Sequence, residues 1–393
     1  MSDFDAITVE HLRKVGGTKW ARYPDTIGAF IAEMDFGIAE PITRALHEAV
    51  DLGAFGYLAP GPVEQMATAY AQFALQRYGW QLDPEDVHPL PDVLTGLGAA
   101  IRFLSRPDSP IIIPTPAYMP FLTIPQVYDR SIIEVPMHEQ DGHYTYDLEA
   151  LDAAFAAGGH LLVLCNPHNP IGRVLTESEM LAVAEVVERH GGRVFADEIH
   201  APLVFAPHRH IPYASLNEAT AAHAITATST SKAWNLPGLK AAQLILSNDA
   251  DRETWRTAGP IAGSGTANLG VIAATAAYTE GTDWLQEVLE YLEGNRHLLG
   301  ELLAEHLPEA RYAAPEGTYL GWVDLHRVPI GQPAGSFFRR HAKVMVTDGN
   351  QCGAAGKGFI RYNFATPRPL LIEGISRLGR AVREHGAHEP GGD

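Results

Sequence analysis

Cysteine is nearly absent from this chain. Only Cys165 and Cys352 occur in 393 residues, and they form no CxxC pair. A disulfide framework, a cysteine-rich zinc site and a dithiol redox centre are therefore excluded, and both thiols are expected in packed surroundings. Positive charge is also scarce. Lys and Arg number 29 against 47 Asp and Glu, for a net charge of -18 without any basic run. Such a field repels a phosphate backbone and an anionic membrane surface, so neither nucleic acid nor membrane is an expected partner. No apolar run is long enough to span a bilayer. The start, Met1 to Asp5, is acidic and lacks the charged and apolar regions of a signal peptide, which predicts a cytoplasmic protein.

Several sequence signatures are missing or broken. GLG at 96–98 and GSG at 263–265 do not complete GxGxxG, GAAGKG at 353–358 lacks the Walker spacing and its hydroxyl residue, and no GxSxG occurs. His200, His208 and His210 are close in sequence but not at HExxH spacing, so no metal is expected.

What is present is the composition of a folded protein, with 46% hydrophobic and 19% charged residues. Apolar runs at 109–114, 131–136, 160–165, 193–196, 223–228 and 241–246 predict strands buried on both faces. Amphipathic runs at 41–53, 93–104 and 176–190 predict helices, the last with a Thr176/Glu179 capping box and Gly191 beyond its end. This alternation predicts an α/β fold: a mostly parallel sheet between helices, with ligands at the carboxyl ends of its strands. Residues 266–307 read as two helices, the second long. Strand-like 320–326 and 358–364 and a helix near 370–385 follow, and the tail Gly386–Asp393 is expected to fray. Residues 1–36 show no sustained period and read as an irregular arm.

Three segments fall at predicted strand ends: Asn166-Pro-His-Asn-Pro-Ile-Gly172, Asp197-Glu-Ile-His200, and Ser229 to Lys240. Alone, each reads as a turn, a cap or a solvated loop. Together they supply what pyridoxal 5'-phosphate requires: a lysine to carry it, an acid facing its ring nitrogen, a donor to its phenolic oxygen and a cup for its phosphate. Lys232 is the expected attachment point and Cα base, Asp197 the ring-nitrogen partner and Asn169 the phenolic-oxygen donor. Ser229, Ser231, Lys240 and the backbone N–H groups of Val93 and Leu94, where the helix begins, are the expected phosphate cup.

The segment Ser229–Ala242 resembles the lysine signature of the class I/II aminotransferase superfamily of pyridoxal-phosphate enzymes. More narrowly, NPHNPIGRV, DEIH, SKAWNLPGL, AEMDF (32–36), FGY (55–57), PTPAYMPF (114–121) and GFIRYNFATPR (358–368) are similar to its cystathionine β-lyase / cysteine C-S lyase branch (MalY/PatB type). The resemblance implies fold type I, with a large domain carrying a mixed, mostly parallel sheet and a small α+β domain from both chain ends. It implies the division 1–40 (arm and part of the small domain), 41–280 (large cofactor-binding domain) and 281–393 (small domain), and a homodimer with shared active sites. By position it gives Tyr118 a place stacked on the cofactor ring, Tyr57 contact with the neighbouring subunit's phosphate, and Arg361 the substrate α-carboxylate. It places His200 beside the phenolic oxygen, and puts Phe30 near the substrate. Trp20, Tyr23 and Phe30 are candidates for the entrance. Lys240 stands where the superfamily has arginine, Phe30 and Glu33 where the related lyases have tryptophan and aspartate, and Asp92 where they have glycine. An ionised Asp92 beside a phosphate is repulsive unless its side chain turns back to cap the helix.

The expected reaction is β-elimination from an S-substituted L-cysteine, cystathionine-like or larger, to thiol, pyruvate and ammonia. The same lysine serves an aminotransferase or a decarboxylation-coupled deamination of a cysteine S-conjugate. A non-catalytic regulatory protein is disfavoured, because binding alone does not need Arg361.

Overall fold

A computed structural model describes residues 3–385; the tail Gly386–Asp393 lies outside them. The six expected strands and a seventh that was not expected, Val87–Leu90, form one sheet in the order Val87–Leu90, Ala242–Leu246, Ala224–Thr228, Arg193–Asp197, Leu161–Cys165, Ile111–Thr115 and Ile132–Pro136. Only Ala242–Leu246 runs against the rest. Side chains leave a strand on alternate faces, and the packing follows that rule. Ile111, Ile113, Leu161, Val163, Phe195, Ile225 and Leu244 pack on one face, with the helices Val93–Phe103 and Asp249–Ala262. Ile112, Leu162, Leu164, Val194, Ala196 and Ile245 pack on the other, against Pro60–Tyr78, Leu148–Ala156, Glu177–Arg189 and Asn268–Glu280. Burial on both faces is why the five inner strands read as unbroken apolar runs; the edge strand Ile132–Pro136, expected to be buried likewise, buries only Val135 fully.

The expected helices form as Glu40–Asp51, Val93–Phe103, Glu177–Arg189, Asn268–Glu280, Thr282–His306 and Arg368–His385. The Thr176/Glu179 capping box is present. Helix Pro60–Tyr78 has no counterpart in the sequence reading. Its buried face, with Met66, Ala67, Ala69, Tyr70, Ala71, Phe73 and Ala74, is mostly alanine, while Leu75 lies exposed, so the apolar stripe is weak in the sequence.

The amino-terminal arm corrects an expectation. It contains the helix Val9–Val15 and the strand Ile27–Ala29, and that strand pairs in parallel with Val344–Asp348. It thereby becomes the edge of a five-stranded sheet completed by Phe359–Asn363, Leu320–Asp324 and Arg311–Tyr312. Three residues are too few to show a period, and their partner lies over 300 positions away. Among the described residues no helix is long and apolar enough to cross a membrane.

Candidate active site

Parallel register brings the carboxyl ends of the central strands to one edge. Cys165 pairs with Asp197, and Asp197 with Ala227. The three strand-end segments therefore emerge side by side and enclose a cavity of about 190 Å³. Its wall includes Lys232, Asp197, Asn169, His200 and Tyr118, together with Ser229, Ser231, Lys240, Val93 and Leu94. Gly172 closes the first segment. Its φ is 73°, and a Cβ there would lie 2.2 Å from Pro315 Cβ, so a side chain would break the turn.

Lys232 Nζ donates to the Ala32 carbonyl at 2.7 Å. Burial and the Arg361 charge push its amine down to about 8, against the pull of Glu33 and Asp197. Asp197 Oδ1 accepts the Ile199 N–H at 3.0 Å, yet burial pushes the carboxyl up to about 7. A buried carboxylate with so little compensation favours a cation placed against it. His200 is buried with Nδ1 unpartnered, and burial with the Lys232 and Arg361 charges lowers its pKa, keeping the ring neutral.

Arg361 and Phe30 do not form this wall. Arg361 Nη1 donates to Asn169 Oδ1 at 2.9 Å, and Nη2 to the Phe30 carbonyl at 2.7 Å and to Thr347 Oγ1 at 3.2 Å. Nε is buried without a partner, and among the described residues no carboxylate pairs with this guanidinium. A buried cation without counter-charge is costly and constitutes an anion receptor. Its hold on Asn169 Oδ1 fixes that amide with Nδ2 as the available donor. The Phe30 ring meets Tyr23 edge-on at 5.7 Å. Trp20 is not at an entrance: it is buried, and Nε1 donates to Asp35 Oδ1 at 2.7 Å.

The Ser229 hydroxyl, on the cavity wall, donates to the Ala241 carbonyl at 2.7 Å and accepts the Ser231 N–H at 3.0 Å, capping the short helix that carries Lys232. Asp92 does turn back to cap the helix: Oδ1 accepts the Thr95 N–H at 2.8 Å, while Oδ2 pairs with Lys240 Nζ at 2.9 Å. Tyr57 is fully exposed. It lines a larger hollow of about 1220 Å³ that shares Lys240 with the inner cavity and is bordered by exposed Phe55. Of the other two histidines, buried His210 pairs with Glu198, and His208 stands 3.9 Å from Glu316.

Sequence reasoning missed the strap at 30–37. Its carbonyls receive Arg361 and Thr347 at Phe30, Asn363 at Ile31, Lys232 and Tyr319 at Ala32, and Asn363 and Lys19 at Glu33. Asn235 holds both backbone groups of Met34. The strap thus joins the lysine loop to the five-stranded sheet. Its signal lay in AEMDF and in Asn235, but the roles are backbone contacts between segments about 200 or more positions apart.

These residues fit pyridoxal phosphate. The cavity offers a lysine of lowered basicity, a buried carboxylate awaiting a cation, a free amide donor, and the first-turn N–H groups of Val93–Phe103, which have no intrahelical acceptor.

A sequence model of the family described as aminotransferase class I and II matches residues 32–378. The chain is 39% identical to cystathionine beta-lyase of Corynebacterium glutamicum over 378 residues, covering 95% of this chain and 99% of that one. It is 32% identical to cystathionine beta-lyase PatB of Bacillus subtilis, covering 91% and 93%. The PLP-bound C-S lyase of Staphylococcus hominis superposes with a TM-score of 0.89 at 28% identity, covering 97% and 98%.

Proposed function

The chain belongs to the aminotransferase class I and II family, and from that premise we propose that it is a pyridoxal-phosphate-dependent carbon–sulfur β-lyase. It acts on an S-substituted L-cysteine, releasing thiol, pyruvate and ammonia. The observation that carries this reading is the cavity wall itself: Lys232 with its lowered basicity, the buried Asp197 and the amide of Asn169 share it, with Arg361 bonded to that amide. Relatives that match the chain end to end and are named cystathionine β-lyase narrow the family to this reaction.

The cofactor supplies an electron sink for the negative charge that develops at Cα. Lys232 would hold the cofactor and would take the substrate's Cα proton; an amine near 8 suits base work at neutral pH. Asp197, a buried carboxyl on the cavity wall, would hold a proton on the cofactor's ring nitrogen. Asn169 Nδ2 and His200 would attend its phenolic oxygen, and Tyr118 would pack against its ring. Arg361, anchored by Asn169, Phe30 O and Thr347, receives the substrate carboxylate. Phe30 serves through its carbonyl. With the Cα–H bond broken, the Cβ–S bond breaks and the thiolate leaves.

The chain acts as a homodimer with shared sites. Exposed Tyr57, Phe55 and Ile261 beside a hollow continuous with Lys240 support a second copy seated there, its Tyr57 reaching this chain's phosphate cup. The division at 40 and 280 is supported by strand Ile27–Ala29 joining the carboxyl-terminal sheet. Two free, buried cysteines suit a cytoplasmic setting.

The test is to mix the holoenzyme with L-cystathionine and follow free thiol, pyruvate, carbon dioxide and the cofactor spectrum. Equimolar thiol and pyruvate are expected. Pyridoxamine phosphate accumulating without thiol, or carbon dioxide released, would overturn the lyase reading.

A further inference from the structure

Resting on the cofactor reading above, we propose that Asp92 is a built-in competitor for the coenzyme's phosphate: it occupies Lys240 and one helix N–H, and so weakens phosphate binding. The inner cavity has two charged ends. At one stand Lys232 and Asp197; at the other the only charged wall residues are Lys240 and Asp92, paired at 2.9 Å. The phosphate end therefore has no net side-chain charge with which to meet a dianion.

The donors there are depleted in the same way. Asp92 Oδ1 takes both the Thr95 N–H at 2.8 Å and the Thr95 hydroxyl at 2.9 Å. Ser229 gives its proton to Ala241. Within this chain, what remains for a phosphate is the Ser231 hydroxyl, the N–H groups of Val93 and Leu94, and whatever Lys240 releases from Asp92. Burial works upward on the Asp92 carboxyl, but hydrogen bonds from Lys240 and Thr95 outweigh it and hold it below its ordinary value. It stays charged at any pH at which the enzyme works. Coenzyme retention thus falls more heavily on the bond to Lys232 and less on the phosphate.

A neutral cap at position 92 separates the two functions of Asp92. Asparagine and serine both cap helices well, so Asp92→Asn keeps the helix start while removing the competitor, and Asp92→Ser is a second, independent form of the same change. Full-length protein stripped of cofactor is titrated with pyridoxal phosphate and, separately, with pyridoxal, which lacks the phosphate; binding is read from absorbance. Removing one charge beside a dianion at a half-exposed site predicts a fall of about tenfold in the Kd for pyridoxal phosphate. Pyridoxal should bind as before. In a Lys240→Ala background the gain should shrink, since the two charges act on each other.

An unchanged or raised Kd for pyridoxal phosphate in both variants would overturn the proposal, as would equal tightening of pyridoxal. Borohydride reduction of the wild-type complex, followed by peptide mass analysis, keeps this test separate from the cofactor reading. No adduct at Lys232 defeats that reading. An adduct at Lys232 with unaltered Kd values in the variants defeats only the role of Asp92.

Discussion

Asp197→Asn should stabilise the cofactor-free protein, and by an amount that depends on pH. Burial raises the Asp197 carboxyl from 3.8 to about 7. A raised carboxyl favours the folded state only while it holds its proton. Its contribution is therefore full below the unfolded value near 3.8, and is lost as pH rises through about 7. At pH 7.5 the carboxylate is mostly ionised in both states, and the gap between the two values corresponds to a penalty of about 4 kcal/mol. At pH 5 the folded chain retains its proton, and the penalty falls to about 2 kcal/mol. Asparagine does not titrate and can still accept the Ile199 N–H. The substitution should therefore stabilise the empty protein by about 2 kcal/mol more at pH 7.5 than at pH 5. Urea unfolding of full-length, cofactor-free wild type and variant at the two pH values, read by tryptophan fluorescence, measures this directly. Pyridoxal phosphate should then protect the wild type more than the variant, because only the carboxylate gains an ion pair with the ring nitrogen. Equal displacement of the unfolding midpoint at both pH values would refute the reasoning, as would a variant less stable than wild type at pH 7.5.

The remaining predictions concern the substrate clamp and the shared site. Arg361→Lys keeps the charge but loses the fork that binds Asn169, Phe30 O and Thr347 together; KM for L-cystathionine should rise by about tenfold or more in steady-state assays, and an unchanged KM would remove Arg361 from substrate binding. Tyr57→Ala and Lys232→Ala chains, each impaired alone at limiting coenzyme, should regain activity when mixed and allowed to exchange subunits, because one site in each mixed dimer then holds Lys232 from one chain and Tyr57 from the other. No regain would place Tyr57 outside the partner's site.

Much of the site was legible in the sequence. Lys232, Asp197 and Asn169 sit at the ends of strands whose apolar runs are unambiguous, and a parallel sheet gathers such ends at one edge. Other features were hidden because their partners are distant or their pattern is weak. The buried face of helix Pro60–Tyr78 is mostly alanine while Leu75 faces out, so hydropathy marked no stripe. Trp20 read as a candidate entrance aromatic, but the buried carboxylate of Asp35 captures its indole N–H. Ser229 read as part of the phosphate cup, and its bond to a carbonyl twelve residues on was not legible.

The positions of the inner strands along the chain, the Thr176/Glu179 cap and the residue types that can carry the cofactor were determined by the sequence alone, because each depends on local spacing and side-chain chemistry. The tertiary structure decided what those residues touch. Lys232 and Tyr319 meet at the Ala32 carbonyl, Arg361 is buried without a counter-charge, and Asp92 engages Lys240 as well as its helix. Each of these depends on elements brought together from far along the chain, where burial turns an ordinary charge or carbonyl into a functional one.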